Sequence, residues 1–140
     1  MTRFVGAMLV AAAAAACSSS TGPQYLSFEA RSTVSQATPM TVQTVVTVTN
    51  TGPTTTQIEV STCPRPILAF TTPERNGTPV WKSNAGFVCD AAARIRMLGP
   101  GDYYDYNLSG TIPNTLSAGN YFLAVDMGYQ LVPAGQFTTF

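Results

Sequence analysis

In MTVQTVVTVTN, residues 40–50, two kinds of side chain alternate. Met40, Val42, Thr44, Val46 and Val48 share one face, and Thr41, Gln43, Val45, Thr47 and Thr49 share the other. A period of two marks a half-buried strand, because successive side chains of an extended chain point to opposite sides. Asn50, Thr51, Gly52 and Pro53 then break the pattern as a turn. The pattern resumes with Ile58 and Val60 pointing inward. VTVTNTGPTTTQIEV therefore predicts a β-hairpin with a loop of several residues.

The same alternation recurs along the chain. YLSFEAR places Leu26, Phe28 and Ala30 on one side, and ILAFTT carries Leu68 and Phe70. Pro73 and Asn76-Gly77 punctuate before PVWKSN, which holds Trp81. ARIRML offers Ile95 and Met97 or Leu98 to the core. Gly99, Pro100, Gly101 and Asp102 have tight-turn chemistry. YYDYNLS sets Tyr104, Tyr106 and Leu108 against Tyr103, Asp105 and Asn107. NYFLAVDM sets Tyr121, Leu123, Val125 and Met127 against Asn120, Phe122, Ala124 and Asp126. QFTTF supplies a last, short edge.

Nothing after the first residues shows a capped helical period. DAAARIRML could form one helical turn, but Gly99-Pro100 stops it at once. Seven to eight short strands with turn signals at roughly 8–12-residue spacing predict an all-β chain, an antiparallel β-sandwich. An up-and-down barrel is the alternative. Phe140 is a terminal residue of the kind that ends outer-membrane barrel strands, yet Pro133 and Gly135 interrupt the strand such a signal requires.

Composition narrows the function classes. Lys plus Arg number seven and Asp plus Glu seven, and removing the segment that carries Arg3 leaves six against seven. No basic face is available to neutralise phosphates, so nucleic acid is not an expected partner. Histidine is absent. Ser-His-Asp and Cys-His arrangements are therefore impossible, and an enzyme is not expected. Asp102 and Asp105 straddle a turn and a strand, which suits capping the turn and keeping an edge soluble better than paired acid–base work. No dense Asp/Asn loop suggests calcium, and no Gly-rich phosphate loop precedes a helix. Asn76-Gly77-Thr78 matches a glycosylation sequon. Neither a cofactor nor a metal is expected.

The N-terminus reads as an address. Residues 1–16 combine Arg3 with an unbroken apolar run ending in alanines. A short basic start, an apolar run of about 7–15 residues and small residues before the cut define a secretory signal. The run is shorter than the ~20 residues of a spanning helix. Ala14-Ala15-Ala16 satisfies the ordinary cleavage rule. Ala14-Ala15-Ala16-Cys17 also resembles a bacterial lipoprotein lipobox, with Ala14 where leucine is usual. Lipidation of Cys17 is the preferred route because it accounts for an odd cysteine on an exported tail. Residues 17–24 then form the lipidated cysteine and a Ser/Gly-rich tether, and residues 25–140 form the sandwich domain. Acyl chains, at about 0.8 kcal/mol per buried methylene, would hold that domain at a membrane surface of the cell envelope, in the periplasm or at the cell exterior.

Cys63 and Cys89 then stand in an oxidising space, where two cysteines most simply form a disulfide. The bridge would contribute about 3–4 kcal/mol on the chain-entropy model. A zinc site would need further ligands, and no C-x-x-C redox motif is present.

The order VTVTNTG, QIEVSTC, NGTPVWKSN, LGPGDYYDYNLSG and LSAGNYFLAV resembles the BsuPI-type domain, whose founding member is described as an intracellular proteinase inhibitor. The landmarks are Asn50, Trp81, Pro100-Gly101, and Gly119 with Tyr121, spanning residues 26 to about 127. The resemblance implies an immunoglobulin-like β-sandwich and inhibitor-like contact with a protein. An export signal and a cysteine pair set this chain apart from the founding inhibitor. No short inhibitory motif carries over residue by residue.

The same residues have direct physical readings. Trp81 is expected as a core aromatic. Gly119 and Tyr121 are expected to form a corner locked by the tyrosine hydroxyl. Tyr103 should face outward, where tyrosine suits a protein interface. Cys63-Pro64-Arg65-Pro66 is a candidate loop, stiffened by two prolines and tipped with Arg65, that could block a protease cleft; its plainer role is a rigid connection. The expected partner is a protein, either a protease or another envelope component, and the membrane is reached through lipid on Cys17. An assembly component of the envelope without inhibitory activity is the alternative. Intact mass measurement of the mature chain should find an acylated Cys17 as the first residue. A chain beginning at an unmodified Cys17 would remove the anchor.

Overall fold

The computed structural model describes residues 25–61, 63–84 and 92–140. The described residues form nine strands: β1 (Leu26–Ser35), β2 (Thr41–Asn50), β3 (Thr56–Ser61), β4 (Ile67–Phe70), β5 (Trp81–Lys82), β6 (Ala93–Leu98), β7 (Tyr103–Thr111), β8 (Gly119–Asp126) and β9 (Leu131–Thr139). All pairings are antiparallel, in three hydrogen-bonded groups ordered β1-β2-β7, β3-β6 and β5-β4-β8-β9. The chain is an all-β sandwich, not a single closed barrel. The strand count is one above the upper expectation, because PVWKSN contributes only the two-residue β5.

Alternation puts the core where the pattern predicts. Val42, Thr44, Val46 and Val48 of β2 are buried and face Tyr121, Leu123 and Val125 of β8 across one main cluster. The buried Thr44 hydroxyl shares a 2.7 Å hydrogen bond with its register partner Ser32. β4 is buried on both faces. Ile67 and Ala69 join the main cluster, while Leu68 and Phe70 pack with Ala124 in a second one. Trp81 packs half-buried against the main core, as a core aromatic should. It fits because β7 carries Gly110 opposite it: a Cβ there would lie 2.9 Å from the indole.

Three expectations are corrected. First, β2 and β3 do not form a hairpin; β2 pairs with β1 and β7, and β3 with β6. The turn at residues 50–53 carries the chain from one sheet to another. Asn50 dictates this. Fully buried, it donates through Nδ2 to the carbonyls of Thr54 (2.8 Å) and Leu98 (2.9 Å) and accepts the Gly52 N–H at Oδ1 (2.9 Å). Its backbone N–H donates to the Asp102 carbonyl at 2.9 Å, and its carbonyl accepts the Gly101 N–H at 2.8 Å. The arch is thereby joined to the tight turn between β6 and β7. That turn has Pro100 followed by Gly101 at φ 83°, and Asp102 caps it by accepting the Gly99 N–H at 2.9 Å.

Second, Ile95 and Met97 do not enter the core. They are 62% and 59% exposed, and only Leu98 of β6 is buried. The opposite face of β6 turns Arg96 onto the Tyr104 ring at 5.0 Å, so the period puts the aliphatic residues outside.

Third, β9 is a full strand from Leu131, not the short edge of QFTTF. It runs through Pro133 and Gly135 because a β-bulge opposite Leu123 and Ala124 absorbs them, with Gly135 at φ 107°. β9 is the last strand of its sheet, where proline is tolerated. The guanidinium of Arg75 seals the disturbed ladder, donating to the carbonyls of Leu123 (2.7 Å), Gly135 (3.2 Å) and Pro73 (2.8 Å). The expected tyrosine corner is present: the Tyr121 hydroxyl donates to the Ser117 carbonyl at 2.7 Å.

Asn50→Ala would leave the Leu98 carbonyl and the Gly52 N–H unpaired in the interior, at about 1–3 kcal/mol each, and take the amide from the part-buried Thr54 carbonyl. Urea unfolding should show a loss of about 3 kcal/mol or more, against about 1 kcal/mol for a half-buried Thr47→Ala control on the outer face of β2. Equal losses in the two variants would show that Asn50 is not the anchor of the arch.

Candidate binding cleft

Leu26 and Phe28 alternate inward from β1 but stay half-buried, because the sheets part beside them. Val48 of β2 and Ile58 of β3 continue this apolar floor. The segment leading into β4, residues 63–66, crosses the opening. Its proline rings restrict the backbone, and two hydrogen bonds hold its ends: Cys63 N–H to Ser61 Oγ (3.0 Å) and Asp126 N–H to the Pro66 carbonyl (3.1 Å). Held this way, Arg65 does not stand at a free tip. Its side chain is half-buried and lines a cleft of about 280 Å³ with Phe28, Ile58, Tyr106 and Tyr129.

Two tyrosines wall the cleft. Tyr106 reaches it from β7 and donates its hydroxyl to the Glu59 carbonyl at 2.9 Å. Tyr104 meets it edge-on, ring centroids 4.8 Å apart. Tyr129 lies in the turn between β8 and β9 and packs edge-on against Phe28 at 5.6 Å. That turn is closed by Met127 N–H to the Gln130 carbonyl (3.0 Å) and Gly128 N–H to Asp126 Oδ1 (2.8 Å). Gly128 stands at φ 94°, a backbone conformation that favours glycine, and lies beside the Arg65 guanidinium. Arg65 Nε is buried and finds no hydrogen-bond partner among the described residues. Within the same residues the ion pair is Arg31 with Glu29, in the exposed row of β1.

The electrostatics follow from this packing. Burial raises the Tyr106 hydroxyl above its ordinary pKa, while the nearby positive charge of Arg65 pulls it back and Tyr104 and Glu59 push it further up. Burial also raises Tyr129; Tyr106 adds to the rise and Arg65 opposes it. An arginine between aromatic walls over an apolar floor can hold an anion and pack its apolar body.

Tyr103 faces outward as expected, 63% exposed and paired in register with Thr49. It lies on the side of β7 opposite Tyr106, so Tyr103 and Arg65 do not share a site. Asp105, on Tyr103's side, accepts the Thr47 hydroxyl at 2.6 Å. Cys17 and Cys89 lie outside the described residues; Cys63 lies within them, two residues from Arg65. Tyr129 and Phe28 were not marked as site residues by the sequence, since only their meeting across two strand ends gives them a role.

Comparisons with known protein families and with curated proteins return no match to this chain.

Both raised tyrosines bind their protons more tightly in the folded chain than in the unfolded one. Their contribution to stability is complete below about pH 10, the unfolded value, and is lost as pH rises through the folded values. Denaturant midpoints should therefore fall as pH is taken above about 10, and the fall should shrink in Tyr106→Phe. An unchanged alkaline slope in that variant would mean Tyr106 is not desolvated.

Proposed function

We propose that this chain is an exported, lipid-anchored binding module of the bacterial cell envelope that engages a protein partner by contact. The observation that carries the reading is the Arg65 cleft: an arginine held half-buried between tyrosines, with a buried Nε left unpaired. Arginine and tyrosine are the side chains that most often dominate protein interfaces. The signal-like residues 1–16 and Cys17 support export and anchoring. Cys63 and Cys89 form the stabilising bridge in this reading, which would fix the segment that carries Arg65. The chain's passage between sheets at Asn50 and the Tyr121 corner favour an immunoglobulin-like form of the sandwich. The resemblance to the BsuPI-type domain favours inhibitor-like contact, with a protease as one class of partner.

A second reading has its own observation. Ile95 and Met97 stand exposed on the outer face of β6, beside Glu59 and Gln57 on β3. Such residues suit an assembly contact in the envelope.

Affinity capture from envelope extracts distinguishes the two. A partner recovered by the wild-type chain should be lost with Arg65→Gln and retained by the Ile95→Ser/Met97→Ser double variant. The opposite pattern would favour the assembly reading. A partner insensitive to both changes would count against both surfaces. If the partner is a protease, the mature domain should inhibit it at 1:1 stoichiometry and Arg65→Ala should relieve the inhibition.

A further inference from the structure

We propose that the Arg65 cleft is a carboxylate-recognition site, taking a free carboxylate carried on an apolar or aromatic body. The inference rests on the binding-module reading and names the chemistry of its ligand.

Three other arginines show what structural guanidinium groups look like in this fold, and a fourth, Arg94, is exposed. Arg75 donates Nε, Nη1 and Nη2 to three carbonyls, and Arg31 pairs with Glu29. Arg96 lies over the Tyr104 ring. Arg65 differs. It is drawn into a cleft, its Nε is buried without an acceptor, and no carboxylate of the described residues lies within ion-pairing distance. A buried donor with no acceptor is costly, and an incoming oxygen atom would satisfy it.

The cleft selects the ligand by charge and shape. A single guanidinium matches a monoanionic carboxylate, which it can grip with two parallel N–H···O bonds. Arg65 is the one cation among the residues that line the cleft, so a phosphate dianion would bring a second charge with no partner there. Phe28, Ile58 and Tyr129 offer an apolar surface next to the charge. A volume of about 280 Å³ suits one side chain with its carboxylate. It lies just under the roughly 300–1,000 Å³ of pockets for drug-sized ligands. A small aromatic or aliphatic acid and the C-terminal residue of a polypeptide both have this chemistry.

Calorimetric titration of the purified mature chain with N-acetyl-phenylalanine and with its amide tests the site. The acid should bind saturably, and the amide about tenfold or more weaker, the expected loss of a charge-assisted hydrogen bond. Arg65→Gln should weaken acid binding by a similar factor. Arg65→Lys should retain part of it, and Tyr129→Ala should weaken acid and amide alike. Denaturant midpoints of each variant show whether it is folded; if Arg65→Gln is not, Arg65→Lys and Tyr129→Ala carry the test. A short peptide ending in phenylalanine, with free and amidated C-termini, separates the two sources. Tighter binding of the free-ended peptide identifies a polypeptide terminus, and equal binding identifies a small acid. Amide binding equal to acid binding, unchanged binding in folded Arg65→Gln, or no saturation at millimolar acid would each overturn the proposal. Envelope capture that still depends on Arg65 would then leave the binding-module reading standing with a different ligand chemistry.

Discussion

The buried side chain of Asn50 is the constraint on which the architecture depends. An amide offers two donors and an acceptor with two lone pairs, and Asn50 spends these on two carbonyls and one N–H. Its two backbone groups bond to the turn between β6 and β7. Five hydrogen bonds thus meet at one residue without solvent access. They tie the end of β2 to the end of β6 and the start of β7, with 48 residues separating Asn50 from Leu98. No apolar side chain could do this, because the arch carries polar backbone groups into the interior, where each needs a partner.

Other polar side chains perform the same duty at the remaining irregularities. Arg75 covers the bulge between β8 and β9, where the ladder breaks to admit Pro133 and Gly135. The Tyr121 hydroxyl satisfies the Ser117 carbonyl at the entry to β8, and Thr139 donates to the same oxygen at 2.6 Å. The apolar faces supply the drive to close the sandwich. These polar clasps determine where the strands may turn, bulge and cross.

The cleft is a consequence of that arrangement. Because β2 passes to another sheet, β3 lies apart from it and a gap opens beside Phe28 and Ile58. The segment that spans the gap carries Arg65, and the turn after β8 brings Tyr129 across to Phe28. The Arg65 Nε that finds no acceptor among the described residues is therefore produced by the same topology that leaves Asn50 fully bonded.

What the sequence by itself determined is the all-β class, nearly every strand and which face of most strands is buried. Alternation and turn chemistry are local, and burial of one face imposes a period of two wherever a strand lies. The tight turn at residues 99–102 and the Tyr121 corner were legible for the same reason, since their bonding partners lie within four residues. Alternation says that a face is covered without saying by what. The partners of β2, the outward turn of Ile95 and Met97, the passage of β9 through Pro133, and the inward turn of Arg65 were all decided by the tertiary structure. Each depends on groups far away in sequence: Leu98 for Asn50, Arg75 for the bulge, Tyr106 and Tyr129 for Arg65. Contacts over such separations leave no periodic trace in a chain, so only the folded molecule displays them.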